Sequence, residues 1–268
     1  MEKIIELKYS NTNTYLICGD KGTLLFDTGW AGTFPDFCKE IKKYHIDIKT
    51  IDYILISHFH PDHMGIAQDI ATEGPRIVVL NKQELFIHNS DAIFEKENKY
   101  SFVPIDDKKI VRISAEESRD FLKQIGIAGE IIYSPGHSED SISLCLDSKN
   151  IFVGDLNPLY ELELHKGTEI DSSWSMLLER APKIVYYGHA KKAVISDKDK
   201  ADSVVNDADI YLLVQRIMKY IDKGYSMDKI QKKTKADRVF IEDVSRMYLT
   251  HQNVGVQGIL DRIEIKGR

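Results

Sequence analysis

Short apolar runs alternate with segments of helical periodicity along the first 198 residues. Three runs near the start, Ile4–Leu7, Thr14–Ile17 and Thr23–Phe26, are rich in branched residues and are separated by turn-forming residues, which predicts an antiparallel meander. Two longer segments, Phe34–Tyr44 and Ile66–Glu73, carry apolar residues at helical spacing. The alternation of strands and helices predicts an α/β (α+β) domain.

Six further apolar runs continue this pattern to residue 187, and a helical segment lies among them. The predicted strands are Ile51–Ser57, Arg76–Leu80, Glu130–Tyr133, Ser141–Asp147, Asn150–Val153 and Lys183–Tyr187, and the predicted helix is Ser172–Glu179. Residues 81–125 have a polar middle without a clear strand pattern. That region either covers a site or is a solvated connector, and the sequence leaves both interpretations open.

The pattern changes near residue 199. Asp209–Gly224 and Phe240–Leu249 carry apolar residues at helical spacing and predict amphipathic helices. We therefore predict two domains, residues 1–198 and a small helical subdomain of residues 199–268. The lysines within Lys229–Lys235 are typical of a solvated face, although three short helices also fit a helix-turn-helix that binds nucleic acid.

Composition narrows the class of protein. At 268 residues and 43% hydrophobic content, the chain can bury a sizeable core. Its three cysteines, Cys18, Cys38 and Cys145, are odd in number and lie in or near apolar runs, so we expect reduced core residues. No apolar run approaches the roughly 20 residues of a membrane span, and no apolar leader opens the sequence, so we expect a cytoplasmic protein without membrane contact. The net charge of −6 argues against nucleic acid as a partner.

The densest chemistry lies in residues 57–63, which read Ser-His-Phe-His-Pro-Asp-His after a short apolar run. Imidazole and carboxylate groups suit zinc, iron or manganese. His58 and His60 are two residues apart and project from the same side of an extended backbone. Asp62 and His63 follow a proline that cannot continue a strand, so they can face a second metal ion. Four such groups buried without metal would lack partners, so the segment predicts a metal site.

Four isolated residues of the same chemical types lie elsewhere in the chain, each beside a short apolar or aromatic run and close to a glycine. They are Asp27 before Thr28-Gly29, His137 after Gly136, Asp155 after Gly154, and His189 after Gly188. A ligand at the end of a strand has this sequence context. Taken singly, each fits a loop or turn residue as well, but their order and their glycines favour one common site.

In this order, the His-x-His-x-Asp-His segment and the four isolated residues resemble the metallo-β-lactamase superfamily, and within it the glyoxalase II-like branch, over roughly residues 3–195. The resemblance implies a four-layer αββα sandwich of two mixed sheets between helices, with a small C-terminal helical appendage. It also implies a ligand set: His58, His60 and His137 for one divalent ion, Asp62, His63 and His189 for the other, Asp155 as a bridge, and Asp27 as a hydrogen-bond partner that orients a ligand histidine.

Such a site implies hydrolysis. Two ions about 3.5–4 Å apart would share a hydroxide at neutral pH and polarise the bond under attack. Asp62 would be the catalytic residue that holds the proton of that hydroxide and passes it to the leaving group. We expect zinc, with iron or manganese as alternatives, and a small-molecule thioester, lactone or related ester as substrate.

Two other activities of the superfamily stay open: a phosphodiesterase or nuclease, and a mononuclear iron dioxygenase or other redox enzyme. His60 stands where the flavodiiron oxidoreductases usually have glutamate, which counts against a redox di-iron site. Asp155 stands where many true β-lactamases have cysteine, which counts against that activity. The acidic main domain and the lack of a long inserted arm count against a nuclease.

Outside the ligand set the sequence offers two candidate substrate contacts. Tyr160 follows Asp155 by five residues, and its hydroxyl could reach a substrate oxyanion. His251 lies in the helical tail. The resemblance implies that a tail of this kind walls the substrate site or mediates dimerisation, so a homodimer is one expectation for residues 199–268.

Overall fold

The computed structural model describes residues 2–97, 101–159, 162, 165–195, 202–236, 238–250, 256 and 259. The chain forms two compact units, residues 1–195 and residues 196–268. The predicted boundary after residue 198 falls within 196–201, a segment outside the described residues.

The first sheet of the N-terminal unit has six strands in chain order. They are β1 (Lys3–Leu7), β2 (Thr14–Cys18), β3 (Thr23–Phe26), β4 (Tyr53–Leu55), β5 (Arg76–Leu80) and β6 (Ile110–Ile113). The first three strands form the predicted antiparallel meander. From β3 to β6 the strands run parallel. The last of them, β6, was not predicted and shows that residues 81–125 contribute to the sheet.

The second sheet has five strands. Their spatial order is β11 (Ala193–Val194), β10 (Ile184–Tyr186), β9 (Asn150–Phe152), β8 (Ile142–Leu146) and β7 (Gly129–Tyr133). β9 and β10 are parallel, and the other neighbours are antiparallel. Because β7 and β9 both pair antiparallel with β8, the strands β7, β9 and β10 point the same way.

Short helices connect the strands of this unit. They are α1 (Phe34–Lys43), α2 (Pro61–Met64), α3 (Ala67–Thr72), α4 (Asp91–Glu97), α5 (Ser118–Gln124) and α6 (Glu169–Leu178). Short 3₁₀ helices lie at Ile48–Thr50, Asn81–Phe86 and Asp107–Lys109.

Alternation along the strands separates three apolar layers. In β3, Leu25 joins Phe37 of α1 in the layer under the helices. The adjacent Leu24 joins Phe152 of β9 in the layer between the two sheets. Trp174 of α6 is fully buried against the outer face of the second sheet. The order helix, sheet, sheet, helix confirms the predicted αββα sandwich.

The C-terminal unit contains α7 (Asp202–Asp222), α8 (Met227–Thr234) and α9 (Arg238–Thr250). The predicted helices Asp209–Gly224 and Phe240–Leu249 fall largely within α7 and α9. α8 covers most of the lysine-rich stretch, for which the sequence left a solvated face and a third short helix open. One buried residue from each helix, Val214, Ile230 and Val244, belongs to its core. Within the described part of the chain, no helix has the length and apolar character to cross a membrane.

Candidate metal centre

The carboxyl ends of the strands bring the predicted ligands to one place. Parallel β3 and β4 end beside each other, and they carry Asp27 and the segment 58–63. In the second sheet, β9 and β10 end beside each other and carry Asp155 and His189. His137 follows β7, which points the same way. Functional residues commonly lie at this edge of parallel strands because side chains from several strands converge there.

A proline-initiated turn of helix divides the 58–63 segment. His60 has an extended backbone with φ −73° and ψ 152°, and Pro61 then opens α2. The backbone N–H of His63 donates to the carbonyl of His60 at 3.1 Å. After this change from an extended backbone to a helical turn, the His63 ring lies 4.1 Å from the His58 ring, measured between the ring centroids.

Two glycines allow the two sheets to approach each other at the site. A Cβ atom on Gly154 would lie 2.5 Å from Ser57 Oγ, and the residue has φ +56°. A Cβ atom on Gly188 would lie 2.4 Å from Asp155 Oδ1 and 2.8 Å from His63 Cε1. Gly154 therefore makes room for Ser57, and Gly188 makes room for two of the predicted ligands, Asp155 and His63.

The structure brings all seven predicted ligands together. Their donor atoms form three groups with mutual distances within 4.8 Å: His58, His60 and His137; His58, His63 and Asp155; and Asp62, His63 and His189. In the first group, His137 Nε2 lies 3.2 Å from His60 Nδ1. In the third, His189 Nε2 lies 2.8 Å from Asp62 Oδ2. The first and third groups are the two predicted ligand sets.

Asp155 lies between the two sets, as expected of a bridge. Its Oδ2 is 3.7 Å from His137 Nε2, 3.3 Å from His63 Nε2 and 3.4 Å from His189 Nε2. One carboxylate oxygen therefore faces histidines of both predicted sets.

The buried side of the site fits a metal cofactor. Among the described residues, His58 Nε2, His63 Nε2 and Asp155 Oδ1 are buried without a hydrogen bond, and both histidines are almost completely inaccessible to solvent. Unsatisfied buried polar atoms are costly. Because the three residues belong to the groups above and the unpaired atoms are nitrogen or oxygen, a divalent zinc, iron or manganese ion would satisfy them.

Asp27 anchors the segment 57–63 through hydrogen bonds to Ser57 and His63. Its Oδ1 accepts from the Ser57 N–H at 2.7 Å, and its Oδ2 accepts from the Ser57 hydroxyl and from His63 Nδ1, each at 2.9 Å. Asp27 is itself completely buried and adopts φ +60°. The bond to Nδ1 leaves Nε2 of His63 as the nitrogen that faces the other ligands, which is the predicted role of Asp27.

The loop between β1 and β2 holds the second ligand set, a role that no sequence signal indicated. The carbonyl of Asn11 accepts from His189 Nδ1 at 3.0 Å, which directs His189 Nε2 toward Asp62. The Thr12 hydroxyl donates to the backbone carbonyl of Asp62 at 2.7 Å.

A second buried network supports the first set. The Asp140 carboxylate accepts from the Phe59 N–H, between two predicted ligands, at 2.6 Å. Gln83, also buried, donates to the carbonyls of Ile56 and Asp140 at 3.0 and 3.1 Å. Both residues were missed in the sequence, because a single polar residue carries no periodicity or ligand spacing to mark it.

Electrostatics divides the histidines into two kinds. Burial opposes the charge of His189, but Asp155 and Asp62 outweigh that effect and raise its pKa to about 10. Burial likewise opposes the charge of His63, but Asp27 and Asp155 hold its pKa well above the ordinary value. Burial keeps the pKa of His58 well below that value. Since a metal binds neutral imidazole, a metal ion bound here would have to displace protons from the first two residues.

The open side of the site is formed by His60 and His137, both exposed to solvent. A substrate would approach from this side. The two candidate substrate contacts, Tyr160 and His251, lie outside the described residues.

The αββα sandwich, with a site of histidines and aspartates at the strand ends, defines a known class of protein. Residues 8–189 match the model of the metallo-beta-lactamase superfamily, and the chain belongs to that superfamily.

Two sequence relatives align with this chain over only part of their length. The metallo-beta-lactamase fold-containing protein ST1585 of Sulfurisphaera tokodaii is 25% identical over 153 residues, which are 53% of this chain and 55% of that protein. An atrochrysone carboxyl ACP thioesterase of Aspergillus terreus is 27% identical over 146 residues, which are 54% of this chain and 38% of that protein. The chain therefore spans about half the length, or less, of these relatives.

A solved structure resembles the chain over nearly its whole length. The metallo-beta-lactamase family protein TTHA1429 of Thermus thermophilus superposes with a TM-score of 0.56 and 14% identity, covering 99% of this chain and 94% of that chain. At this identity the similarity establishes the fold alone.

Proposed function

We propose that this protein is a dinuclear metal-dependent hydrolase of a small-molecule thioester, lactone or related ester. The observation that carries the proposal is the two groups of candidate ligands with Asp155 beside histidines of both, together with three polar atoms of these residues that are buried without a hydrogen bond. His58, His60 and His137 would hold one ion, and Asp62, His63 and His189 the other. Zinc is the metal that this nitrogen and oxygen set favours in a hydrolase.

The metal pair would supply a nucleophile from water at neutral pH and a positive charge that stabilises the anion developing on the substrate. The protein residues provide orientation. Asp27 fixes His63 through Nδ1, and the Asn11 carbonyl fixes His189 through Nδ1, so that both Nε2 atoms face Asp155. A site held by such outer hydrogen bonds needs little rearrangement during the reaction.

Asp62 is the residue best placed to handle a proton. Its side chain is 22% exposed, and its Oδ2 faces His189 Nε2. The Thr12 hydroxyl anchors the Asp62 backbone, so the carboxylate stays beside the ligand set. We assign Asp62 Oδ2 as the atom that holds the proton of the attacking water and returns it to the leaving group.

The ester class of substrate is supported by two observations. One relative that aligns over about half of the chain is named as a thioesterase. The net charge of −6 disfavours a polyanionic phosphodiester substrate.

The test combines metal analysis with a substrate panel. Metal-replete protein would be assayed on thioester, lactone and β-lactam substrates and on bis(p-nitrophenyl) phosphate, as wild type, as His60→Ala and as His88→Ala. The control residue His88 is an exposed histidine 2.9 Å from Asp91 Oδ2 and lies outside the three ligand groups. We expect thioester or lactone turnover in the wild type and in His88→Ala, and its loss in His60→Ala.

Three outcomes would overturn the proposal. Wild-type activity in His60→Ala would exclude a role for the first ligand set. Turnover of the phosphodiester alone would favour the phosphodiesterase or nuclease alternative. A single iron per chain with substrate-dependent oxygen uptake would favour the redox alternative.

A further inference from the structure

Ser57 lies at the centre of the hydrogen bonds behind the metal centre. Its hydroxyl oxygen is 2.9 Å from Asp27 Oδ2, 3.0 Å from His58 Nδ1 and 3.4 Å from His63 Nδ1. The residue is 1% exposed. His58 belongs to one predicted ligand set and His63 to the other, so a single hydroxyl touches the rear nitrogen of a histidine from each set.

The directions of these hydrogen bonds follow from the donor inventory. A carboxylate only accepts, so the Ser57 hydroxyl donates its hydrogen to Asp27 Oδ2, and His63 Nδ1 carries the hydrogen that it donates to the same oxygen. The Ser57 oxygen is then left with lone pairs only. His58 Nδ1 must therefore carry a hydrogen and donate it to Ser57, which leaves a lone pair on His58 Nε2.

His58 Nε2, which carries that lone pair, is one of the atoms that are buried without a hydrogen bond. Asp27 therefore sets the hydrogen-bond direction of the Ser57 hydroxyl, and the hydroxyl in turn sets the tautomer of His58. In that tautomer the free lone pair is on Nε2, the nitrogen on the side of the other ligands of the first set. Asp27 fixes the tautomer of His63 directly, because His63 Nδ1 donates its hydrogen to Asp27 Oδ2.

Packing holds the Ser57 hydroxyl in this position. Gly154 approaches so closely that a Cβ atom there would lie 2.5 Å from Ser57 Oγ and 2.7 Å from Ser57 Cβ. The Ser57 backbone N–H donates to Asp27 at 2.7 Å, and its carbonyl accepts from the Ile142 N–H at 2.9 Å. Close packing and two backbone hydrogen bonds leave the side chain little freedom to rotate away.

We propose that Ser57 is a positioning residue that transmits the orientation set by Asp27 to His58 and thereby couples the two ligand sets. This inference rests on the proposed dinuclear site. Removal of the hydroxyl leaves His58 Nδ1–H without its acceptor, whereas His63 keeps its bond to Asp27. Ser57→Ala should therefore weaken binding at the first set more than at the second, by roughly tenfold to a hundredfold in affinity.

The first measurement is nitrogen-15 NMR of the imidazole rings in the metal-free protein. In the wild type we expect His58 to be neutral with its hydrogen on Nδ1, and in Ser57→Ala we expect this single tautomer to be lost. The second measurement is a zinc titration of metal-free protein against a chelator of known affinity. The control is Ser143→Ala, which removes another completely buried hydroxyl, 2.7 Å from Ser134 Oγ and outside the ligand sets.

Support requires the Nδ1–H tautomer in the wild type and a selective loss of one zinc affinity in Ser57→Ala but not in Ser143→Ala. A wild-type His58 with its hydrogen on Nε2 would overturn the inference, and so would two unchanged zinc affinities in Ser57→Ala. The wild-type spectrum decides even when the Ala variant does not fold. A wild type that binds no zinc would instead overturn the proposed function, and the tautomer would still report on Ser57 separately.

Discussion

Gly188 gives the sharpest steric test of the centre. Substitution by alanine would place a Cβ atom 2.4 Å from Asp155 Oδ1 and 2.8 Å from His63 Cε1. Ordinary contacts to a Cβ atom begin near 3.4 Å. The carboxylate oxygen, the imidazole or the backbone at residue 188 must therefore move by about 1 Å in total.

The cost follows from which groups have to move. Asp155 faces histidines of both predicted sets, and His63 belongs to one of them. A displacement of about 1 Å in a catalytic arrangement costs on the order of a hundredfold in rate, or about 2.7 kcal/mol of transition-state stabilisation. We expect Gly188→Ala to lose about this much kcat/KM and to retain less metal after dialysis, measured by ester hydrolysis and by elemental analysis of the same sample.

Gly74→Ala is the matched control. Gly74 has φ +141° and nothing within 4 Å of an added Cβ atom, so alanine there strains the backbone without touching the site. We expect this control to lower the Tm while metal content and kcat/KM stay at wild-type values. Full metal content and full activity in Gly188→Ala would refute the placement of Asp155 and His63 beside that glycine.

Three further perturbations probe the surroundings of the centre. Asp27→Asn exchanges an acceptor of the His63 hydrogen bond for an amide, so we expect metal affinity to fall roughly tenfold to a hundredfold in a chelator competition. Asp140→Ala leaves the buried Phe59 N–H without its acceptor, so the free energy of unfolding should fall by about 1–3 kcal/mol in a denaturant titration. Protonation of His189 competes with metal, so affinity should fall about tenfold per pH unit for each proton displaced as the pH decreases below about 10. In the metal-free protein, the raised pKa of His189 contributes stability that is complete below about pH 6.5 and is lost as the pH rises through about 10.

Each of these expectations has a contradicting result. Unchanged metal affinity in Asp27→Asn would show that the His63 hydrogen bond does not direct the ligand. Unchanged stability in Asp140→Ala would show that Phe59 N–H finds another partner. An affinity that is constant between about pH 7 and about pH 10 would show that His189 is not among the ligands.

The candidate ligands could be identified from the sequence because they are chemically conspicuous. Three histidines and an aspartate within residues 58–63 have no ordinary structural use, and the remaining candidates each follow or precede a glycine beside an apolar run. The structure shows the reason for two of those glycines, since Gly154 and Gly188 lie against Ser57 and Asp155. A close approach to the backbone requires glycine, so these two positions could be recognised in the sequence without knowledge of the fold.

The supporting residues were not accessible in the same way. Gln83 and Asp140 support the site through side-chain hydrogen bonds between segments far apart in sequence, and no local sequence pattern indicates such a pairing. Residues 81–125 illustrate the same limit. β6 was missed there because its four residues, Ile110–Ile113, follow a charged turn, and their assignment depends on parallel pairing with β5.

Metal stoichiometry tests the central claim most directly. Metal-replete wild-type protein and His88→Ala should each hold two divalent ions per chain after removal of loosely bound metal, and His60→Ala should hold fewer. Fewer than one ion per chain in the wild type, or two ions in His60→Ala, would contradict a dinuclear centre built on residues 58–63.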